Sequence, residues 1–478
     1  MNIRDVIVEG RRRRIAASGH EFGHPVPELR KGPIVPFGKK PFLVCEIKRR
    51  SPSRGAIDES LDLRIQAERY LRRGAAALSV LTEEDHFHGS LRDLMEVKTA
   101  FPEACVLRKD FLVDGEDVRV SHRAGADAVL LIASILGTEE LAALYATARG
   151  LGMEALVEVH SVEDVEKVRA FRPRFVGVNS RNLENFSVDL LHPARIKGLV
   201  DWDASVVFES GITGGEEAMF AGSLGFGGLL VGEAVVRDSG KVPEILAGFE
   251  AGLAAPSDFW ARGARGGKHG RPLVKICGLT NAEDAALAEG LGADLLGFVF
   301  ADSPRKADSS FVRGLPETRA LKVGVVVMGE GERSLPPEVE ALLSGGFLDA
   351  VQLHGEETPE VCRSLGVPYY KALRPASAAA AESAIAAYHC PRVLVDARSA
   401  GAYGGTGLRV PDDIVRAASA AGSLWLAGGL GPDNVREAVA TLRPELVDAS
   451  SRLEERPGRK SRGLMERFFR EIDHAIER

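Results

Sequence analysis

The sequence predicts an α/β protein made of two tandem (β/α)8 TIM barrels. Three observations carry that expectation. Short apolar runs rich in Val, Leu and Ile alternate with polar stretches at helical period, the pattern of a parallel sheet covered by helices. The runs come as eight in each half of the chain, the count of a closed barrel. Polar, chemistry-bearing residues stand at the C-terminal ends of nearly every run, where a barrel gathers them into one mouth. An open doubly wound sheet in each half is the competing architecture, ranked lower on that third observation.

In the first half the runs are 42–47, 77–81, 105–107, 128–132, 155–159, 175–178, 205–208 and 228–231. Stretches such as 61–72 and 138–149 carry the helical period between them. The second half gives 273–277, 295–300, 321–327, 350–353, 369–373, 393–396, 424–427 and 446–448. Residues 254–272 include Ala-Arg-Gly-Ala-Arg-Gly-Gly-Lys-His-Gly and show no apolar period. This stretch reads as a linker, giving units 1–255 and 272–478 joined by 256–271.

A chain of 478 residues is too long for one ordinary domain. With 45% hydrophobic and 27% charged residues it has a globular composition. The net charge of −7 offers no basic field for nucleic acid or an anionic membrane. The cysteines Cys45, Cys105, Cys277, Cys362 and Cys390 are odd in number and widely spaced. That argues against a disulfide framework or zinc cluster and for a reducing cytoplasmic setting. No apolar run reaches the ~18 residues that span a bilayer, and the first residues lack a signal-peptide core. Arg11–Arg14, beside Asp5 and Glu9, reads as a solvated helix face rather than a nucleic-acid contact. His86 and His88 form a pair with no third metal ligand at useful spacing.

Run ends in the first half supply Glu46, Lys48, Lys109, Glu158, Asn179, Arg181, Glu209 and Ser210; those in the second supply Cys277, Arg305, His354 and Asp396. Acid and base groups in one cavity suit proton transfer on an anionic substrate. Both halves close with small residues after their seventh and eighth runs: Glu-Ser-Gly-Ile and Val-Gly-Glu, then Ala-Gly-Gly-Leu and Asp-Ala-Ser-Ser. Backbone N–H groups there make a phosphate cradle, so both substrates are expected to be phosphorylated.

The first half resembles indole-3-glycerol phosphate synthase. The resemblance rests on Cys-Glu-Ile-Lys-Arg-Arg-Ser-Pro-Ser (45–53), Ser-Val-Leu-Thr (79–82), Leu-Arg-Lys-Asp-Phe (107–111), Val-Glu-Val-His (157–160), Gly-Val-Asn-Ser-Arg-Asn-Leu (177–183), Glu-Ser-Gly-Ile (209–212) and Val-Gly-Glu-Ala (231–234). The second half resembles phosphoribosylanthranilate isomerase through Lys-Ile-Cys-Gly-Leu-Thr (275–280), Ser-Pro-Arg (303–305), Gln-Leu-His-Gly (352–355), Val-Asp-Ala-Arg (395–398), Gly-Gly-Thr-Gly (404–407), Ala-Gly-Gly-Leu (427–430) and Asp-Ala-Ser-Ser (448–451). The order implies a bifunctional enzyme of tryptophan biosynthesis, with the C-terminal half acting first.

For the isomerase the resemblance implies Asp396 as acid and Cys277 as base in an Amadori rearrangement. The thiol must then ionise below its usual ~8.5, and Lys275, two residues away, is placed to help. Asp396 must keep a proton at neutral pH. Arg305 would pair with the anthranilate carboxylate, and His354 would touch substrate. Gly405, Gly428, Gly429, Ser450 and Ser451 would serve the phosphate and sugar. Arg452 stands where the family has glycine.

For the synthase the resemblance implies that Lys109 protonates the ketone during ring closure. Glu158 and Lys48 would share acid and base work in the dehydration, with Glu46 orienting Lys48; which lysine acts in which step stays open. Asn179, Arg181 and Glu209 would hold carboxylate and hydroxyls. Ser210, Gly211, Gly232 and Glu233 would hold phosphate, with Ser51 assisting from the first loop. The first ~40 residues would form a helical extension over the mouth. Neither reaction calls for a metal or organic cofactor, and the partners are small phosphorylated molecules. A different phosphate-handling barrel pair and a non-catalytic barrel are the alternatives. The set Lys48/Lys109/Glu158 weighs against the first, since a simple isomerase wants one acid–base pair, and the sets Cys277/Asp396 and Lys109/Glu158 weigh against the second.

Overall fold

A computed structural model describes the chain except for residues 1–2, 39–40, 52–54, 57–60, 183–186, 268–269, 330, 389, 398–408, 422–423 and 478. It divides into two compact units, 1–256 and 257–478. Each unit contains a closed barrel of eight strands paired in parallel, with helices between successive strands. The open doubly wound alternative is therefore excluded for both halves.

In the first unit the strands are Phe42–Ile47, Ala77–Leu81, Val106–Lys109, Ala128–Ile132, Glu154–Val159, Phe175–Asn179, Ser205–Glu209 and Gly228–Val231. The first strand pairs with the second and the eighth, closing the ring. Side chains alternate across each strand, so every second residue enters the barrel. Val44, Leu107, Leu130, Leu156, Phe175, Val207 and Leu230 form that inner core. At the N-terminal end Phe37, Phe42 and Phe175 meet edge to face at 5.1–6.1 Å, contacts worth ~0.5–1.5 kcal/mol each beyond burial. This aromatic floor leaves the C-terminal end as the mouth.

Helix starts are set by local capping. Asp62 accepts from Arg64 N and Ile65 N before Leu63–Arg72, and Asp114 accepts from Glu116 N and Asp117 N before Gly115–Ala124.

On the N-terminal helix Ile3–Ser18, Arg12 and Arg13 are exposed as a solvated face requires, but Arg11 and Arg14 are not part of it. Arg11 is buried, with NH1 donating to Asp110 Oδ1 at 2.8 Å and NH2 to Asp117 Oδ1 at 2.6 Å. Arg14 pairs with Glu84 and Asp85. The expectation failed because these carboxylates lie some 70–106 residues away in sequence, beyond the reach of local pattern. The extension thus sits against the loops that follow the second and third strands.

The second barrel uses Leu273–Cys277, Leu295–Val299, Leu321–Val326, Ala350–Leu353, Tyr369–Leu373, Val393–Val395, Trp425–Leu426 and Leu446–Ala449. Its floor involves the segment expected to be a linker. Residues Asp258–Arg265 form a helix with Phe259, Trp260, Gly263 and Ala264 buried. Phe259 stacks on Tyr370 at 6.1 Å, and Trp260 lies 5.9 Å from Trp425. Glycine, alanine and arginine around two aromatics disguised an apolar stripe. Among the described residues no helix is long and apolar enough to cross a membrane.

Candidate functional sites at the two barrel mouths

The strand parity that fills the first barrel also loads its mouth. Glu46 follows Phe42 and Val44, Lys109 follows Leu107, Glu158 follows Leu156, and Glu209 follows Val207 on the inward side. The result is a continuous row of ionisable groups. Lys48 Nζ lies 2.6 Å from Glu46 Oε1, and Glu46 Oε2 lies 3.5 Å from Lys109 Nζ. Lys109 Nζ donates to Glu209 Oε2 at 3.0 Å. Glu209 and Glu158 are close enough for each to shift the other's ionisation, and Glu158 Oε1 lies 2.7 Å from His160 Nε2.

Burial and the neighbouring Glu158 charge push Glu209 up to about 7, against the pull of Lys109. Burial of Glu158 is outweighed by His160 and Lys109, which hold it down at about 2. Glu209 is therefore the carboxyl that keeps a proton, and its buried Oε1 has no hydrogen-bond partner. Burial disfavours charge on Lys109, but Glu209, Glu46 and Glu158 together hold its pKa above the ordinary lysine value. Glu46 is buried too, yet Lys48 and Lys109 keep it ionised below the usual range. The mouth thus holds charged ammonium groups as proton donors beside one protonated and two ionised carboxyls.

Space for this row depends on glycine. Gly177 sits directly across from Glu158 on the next strand, and a Cβ there would overlap Glu209 Oε1.

Asn179 is buried at the same rim and accepts from Arg181 N at 3.0 Å. Arg181 stands half-buried in the following loop. Ser210 and Gly211 take positive φ of 65° and 75°, a turn that costs a non-glycine residue strain and marks a constrained site. Gly232 precedes the short helix Glu233–Arg237 and accepts from Val235 N and Val236 N. Ser51 lies in a two-residue strand paired with Gly55–Ala56, and its side chain is outside the described set. His160 closes the Val-Glu-Val-His segment on the same strand parity as Glu158, the one sequence signal that places it in this row.

In the second barrel Lys275 is fully buried. Its Nζ donates to Asp448 Oδ2 at 2.6 Å and to Gln352 Oε1 at 2.8 Å. Tyr370 also donates to Gln352 Oε1, at 2.8 Å. These two donors fix the amide orientation, so Gln352 Nε2 donates to His354 Nδ1 at 2.8 Å. The histidine's proton then resides on Nε2 in the neutral ring. That nitrogen is buried, lies 3.2 Å from Asp396 Oδ2 and makes no aligned hydrogen bond. His354 and Asp396 are thus brought together, with a buried, unpartnered donor between them.

The Cys277 thiol is not lowered as the sequence reading required. Burial pushes it up, and Lys275 only partly pulls it back while Asp448 pushes it further. The charge of Lys275 is already engaged by Asp448. Arg305 also has a partner the sequence did not suggest. Its Nε donates to Glu454 Oε1 at 2.9 Å and its NH2 to Glu454 Oε2 at 2.9 Å. Lys460 holds the same carboxylate at 2.9 Å and Ser450 O at 3.1 Å. Glu454 and Lys460 lie on a small antiparallel hairpin after the last strand, which its charged sequence did not announce.

Gly428 and Gly429 have φ of 85° and 63°, and Ser450 donates to Cys277 O at 3.1 Å. Ser451 begins a short 3-10 turn. Arg452 lies over Gly431 and reaches Asp433 at 3.8 Å. Gly405 falls outside the described residues. Among the described residues no group of three or more His, Cys, Asp or Glu side chains is arranged for a metal.

Comparison with known proteins matches the two units separately. A family model described as indole-3-glycerol phosphate synthase covers residues 33–245, and one described as N-(5'-phosphoribosyl)anthranilate (PRA) isomerase covers 274–471. The "Multifunctional tryptophan biosynthesis protein" of Schizosaccharomyces pombe is 34% identical over 87% of this chain, which spans 57% of that relative. The "Tryptophan biosynthesis protein TRP1" of Phytophthora nicotianae is 30% identical, over 86% of this chain and 87% of its own length. The "Indole-3-glycerol phosphate synthase" of Carboxydothermus hydrogenoformans is 43% identical over 43% of this chain and 78% of its own.

Proposed function

The chain belongs to the indole-3-glycerol phosphate synthase family through its first unit and to the phosphoribosylanthranilate isomerase family through its second, and from that premise we propose that it performs both reactions in sequence. The second unit converts N-(5-phosphoribosyl)anthranilate into 1-(2-carboxyphenylamino)-1-deoxyribulose 5-phosphate. The first unit converts that product into indole-3-glycerol phosphate, carbon dioxide and water. A cytoplasmic setting fits the free cysteines.

In the isomerase mouth Asp396 donates a proton to the ribose ring oxygen, and the ring opens to an imine. Cys277 removes the C2′ proton, and the enol collapses to the ketone. His354 Nε2–H supplies a hydrogen bond to substrate beside Asp396. Arg305, aligned from one edge by Glu454, offers its other edge to the anthranilate carboxylate. The raised thiol fits a base that ionises only as the reaction demands.

In the synthase mouth Lys109 protonates the ketone oxygen while the aromatic carbon attacks C2′. Carbon dioxide then leaves, and loss of the hydroxyl and of one ring proton completes the indole. Lys48 and Glu158 divide the acid and base work of that last step. Ser210, Gly211, Gly232 and Glu233 take the phosphate, as Gly428, Gly429, Ser450 and Ser451 do in the second unit.

The observation that carries the proposal is the Lys48–Glu46–Lys109–Glu209–Glu158 row, a donor and base set matched to ring closure. The test is to generate phosphoribosylanthranilate in situ and follow its fluorescence together with indole product by chromatography. Formation of indole-3-glycerol phosphate supports both activities. Accumulation of the ribulose compound alone would refute the first, and no consumption would refute both.

A further inference from the structure

Ring closure has a proton deficit that the assigned residues leave open. The substrate enters as a carboxylate and loses carbon dioxide, while its ketone oxygen leaves as water. Two protons are added to that oxygen and one is released from the forming ring. Each turnover therefore takes one proton from solvent. Lys109 ends a turnover one proton short unless something refills it.

We infer that His160 is the proton-entry group of the first barrel, passing a solvent proton through Glu158 and Glu209 to Lys109. This rests on the proposed ring closure. The two ends of the row are in hydrogen-bond contact, His160 Nε2 with Glu158 Oε1 at 2.7 Å and Glu209 Oε2 with Lys109 Nζ at 3.0 Å, and between them the unpartnered Glu209 Oε1 lies over Gly177, the residue that faces Glu158 across the strands. The two carboxyls at the centre are nearly sealed from water, at 3% and 0% exposure. Glu209 holds a proton beside the ionised Glu158, so the pair can take one up and hand one on. The imidazole at the end of the row keeps 16% of its side chain exposed, which gives it access to solvent.

The balance is simple. Lys109 gives its proton to the ketone oxygen and becomes a neutral amine. Glu209 passes its proton to Lys109 and becomes a carboxylate. Protonated His160 gives a proton to Glu158, which restores the proton of the pair. His160 then takes a proton from solvent. No electron pair moves apart from the N–H and O–H bonds exchanged.

The surroundings of His160 favour that cycle. Its backbone N donates to Asp164 Oδ2 at 3.0 Å, its carbonyl lies 2.9 Å from His192 Nε2, and Lys167 lies 3.6 Å from Asp164. Burial opposes protonation, but Glu158, Asp164 and Glu209 raise its pKa above the ordinary histidine value. An imidazole also has two nitrogens, so it accepts at one and donates at the other.

The test compares wild type with His160→Gln, whose amide can keep a hydrogen bond to Glu158 but cannot titrate. A single turnover with enzyme in excess draws on protons already stored in the row. Expected are a single-turnover rate within about two-fold of wild type and a steady-state ring-closure rate about ten-fold lower, at the low end of acid–base effects. Added imidazole restores the steady-state rate, and isomerase activity in the same chain stays unchanged. Equal steady-state rates for variant and wild type would overturn the inference, as would a loss already present in the single turnover or a loss that imidazole leaves untouched. Wild-type enzyme that forms no indole product would instead refute the ring-closure proposal itself.

Discussion

Lys109 Nζ stands 3.0 Å from Glu209 Oε2 across a sequence gap of 100 residues. The surrounding carboxyls hold the lysine charged, while burial and the Glu158 charge hold Glu209 itself above the usual carboxylate range.

Lys109→Ala removes the donor and leaves Glu46 and Glu209 without their shared cation. Ring closure should fall by about 10²–10⁴-fold, with isomerase activity retained. Cys277→Ala and Asp396→Ala should do the reverse. Separate assays of the two half-reactions on each purified variant check this.

Gly177→Ala forces a methyl group onto Glu209 Oε1. Overpacking of this kind costs ~1–3 kcal/mol, and it also displaces the carboxyl from Lys109. The expected outcome is loss of ring closure with a lower melting temperature for the first unit and unaltered isomerase rates. A variant with normal ring-closure kcat would contradict the tight approach.

Glu454→Gln weakens the grip on the Nε and NH2 edge of Arg305. The guanidinium loses its alignment, so the isomerase KM should rise about ten-fold, roughly the ~1.5 kcal/mol of one charged hydrogen bond. The kcat should change little. Steady-state kinetics over a range of phosphoribosylanthranilate concentrations distinguish the two parameters.

Asp448→Asn removes a negative charge that raises the Cys277 thiol and releases Lys275 to lower it. The base form of the thiol then becomes available at lower pH. The alkaline-rising limb of isomerase kcat/KM should move down by about one pH unit. A pH–rate profile of variant against wild type measures the shift.

Glu209 also makes a stability prediction. Its folded pKa is raised, to about 7, above the ordinary carboxylate value. Between those limits the folded chain holds a proton that the unfolded chain has released, so this group's contribution falls as pH rises through that window. Glu209→Gln cannot titrate. The difference in urea midpoint, wild type minus variant, should therefore become more negative from pH 4.5 to pH 7.5.

Most of the architecture was legible because barrel strands, buried on both faces, read as unbroken apolar runs and the polar residues at their C-terminal ends broke them. Glu46, Lys109, Glu158 and Glu209 were legible by that logic, and Ser210, Gly211, Gly428 and Gly429 by the small-residue loops. What stayed hidden depends on distant pairing. Arg11 looked solvated because Asp110 and Asp117 are far along the chain. Cys277 looked activated because Lys275 is its near neighbour, whereas Asp448 claims that charge. His160 looked incidental because its value lies in what Glu158 touches next.

The helix Asp258–Arg265 has a consequence for dissecting the chain. Phe259 and Trp260 cover Tyr370 and Trp425 at the end of the second barrel opposite its mouth. A cut after residue 256 would release an isomerase carrying its own stopper. A cut after residue 266 would produce a fragment of nearly equal length with two large aromatic rings bared to water. The first fragment should be monodisperse and the second prone to clump, although neither has lost a single group that touches substrate.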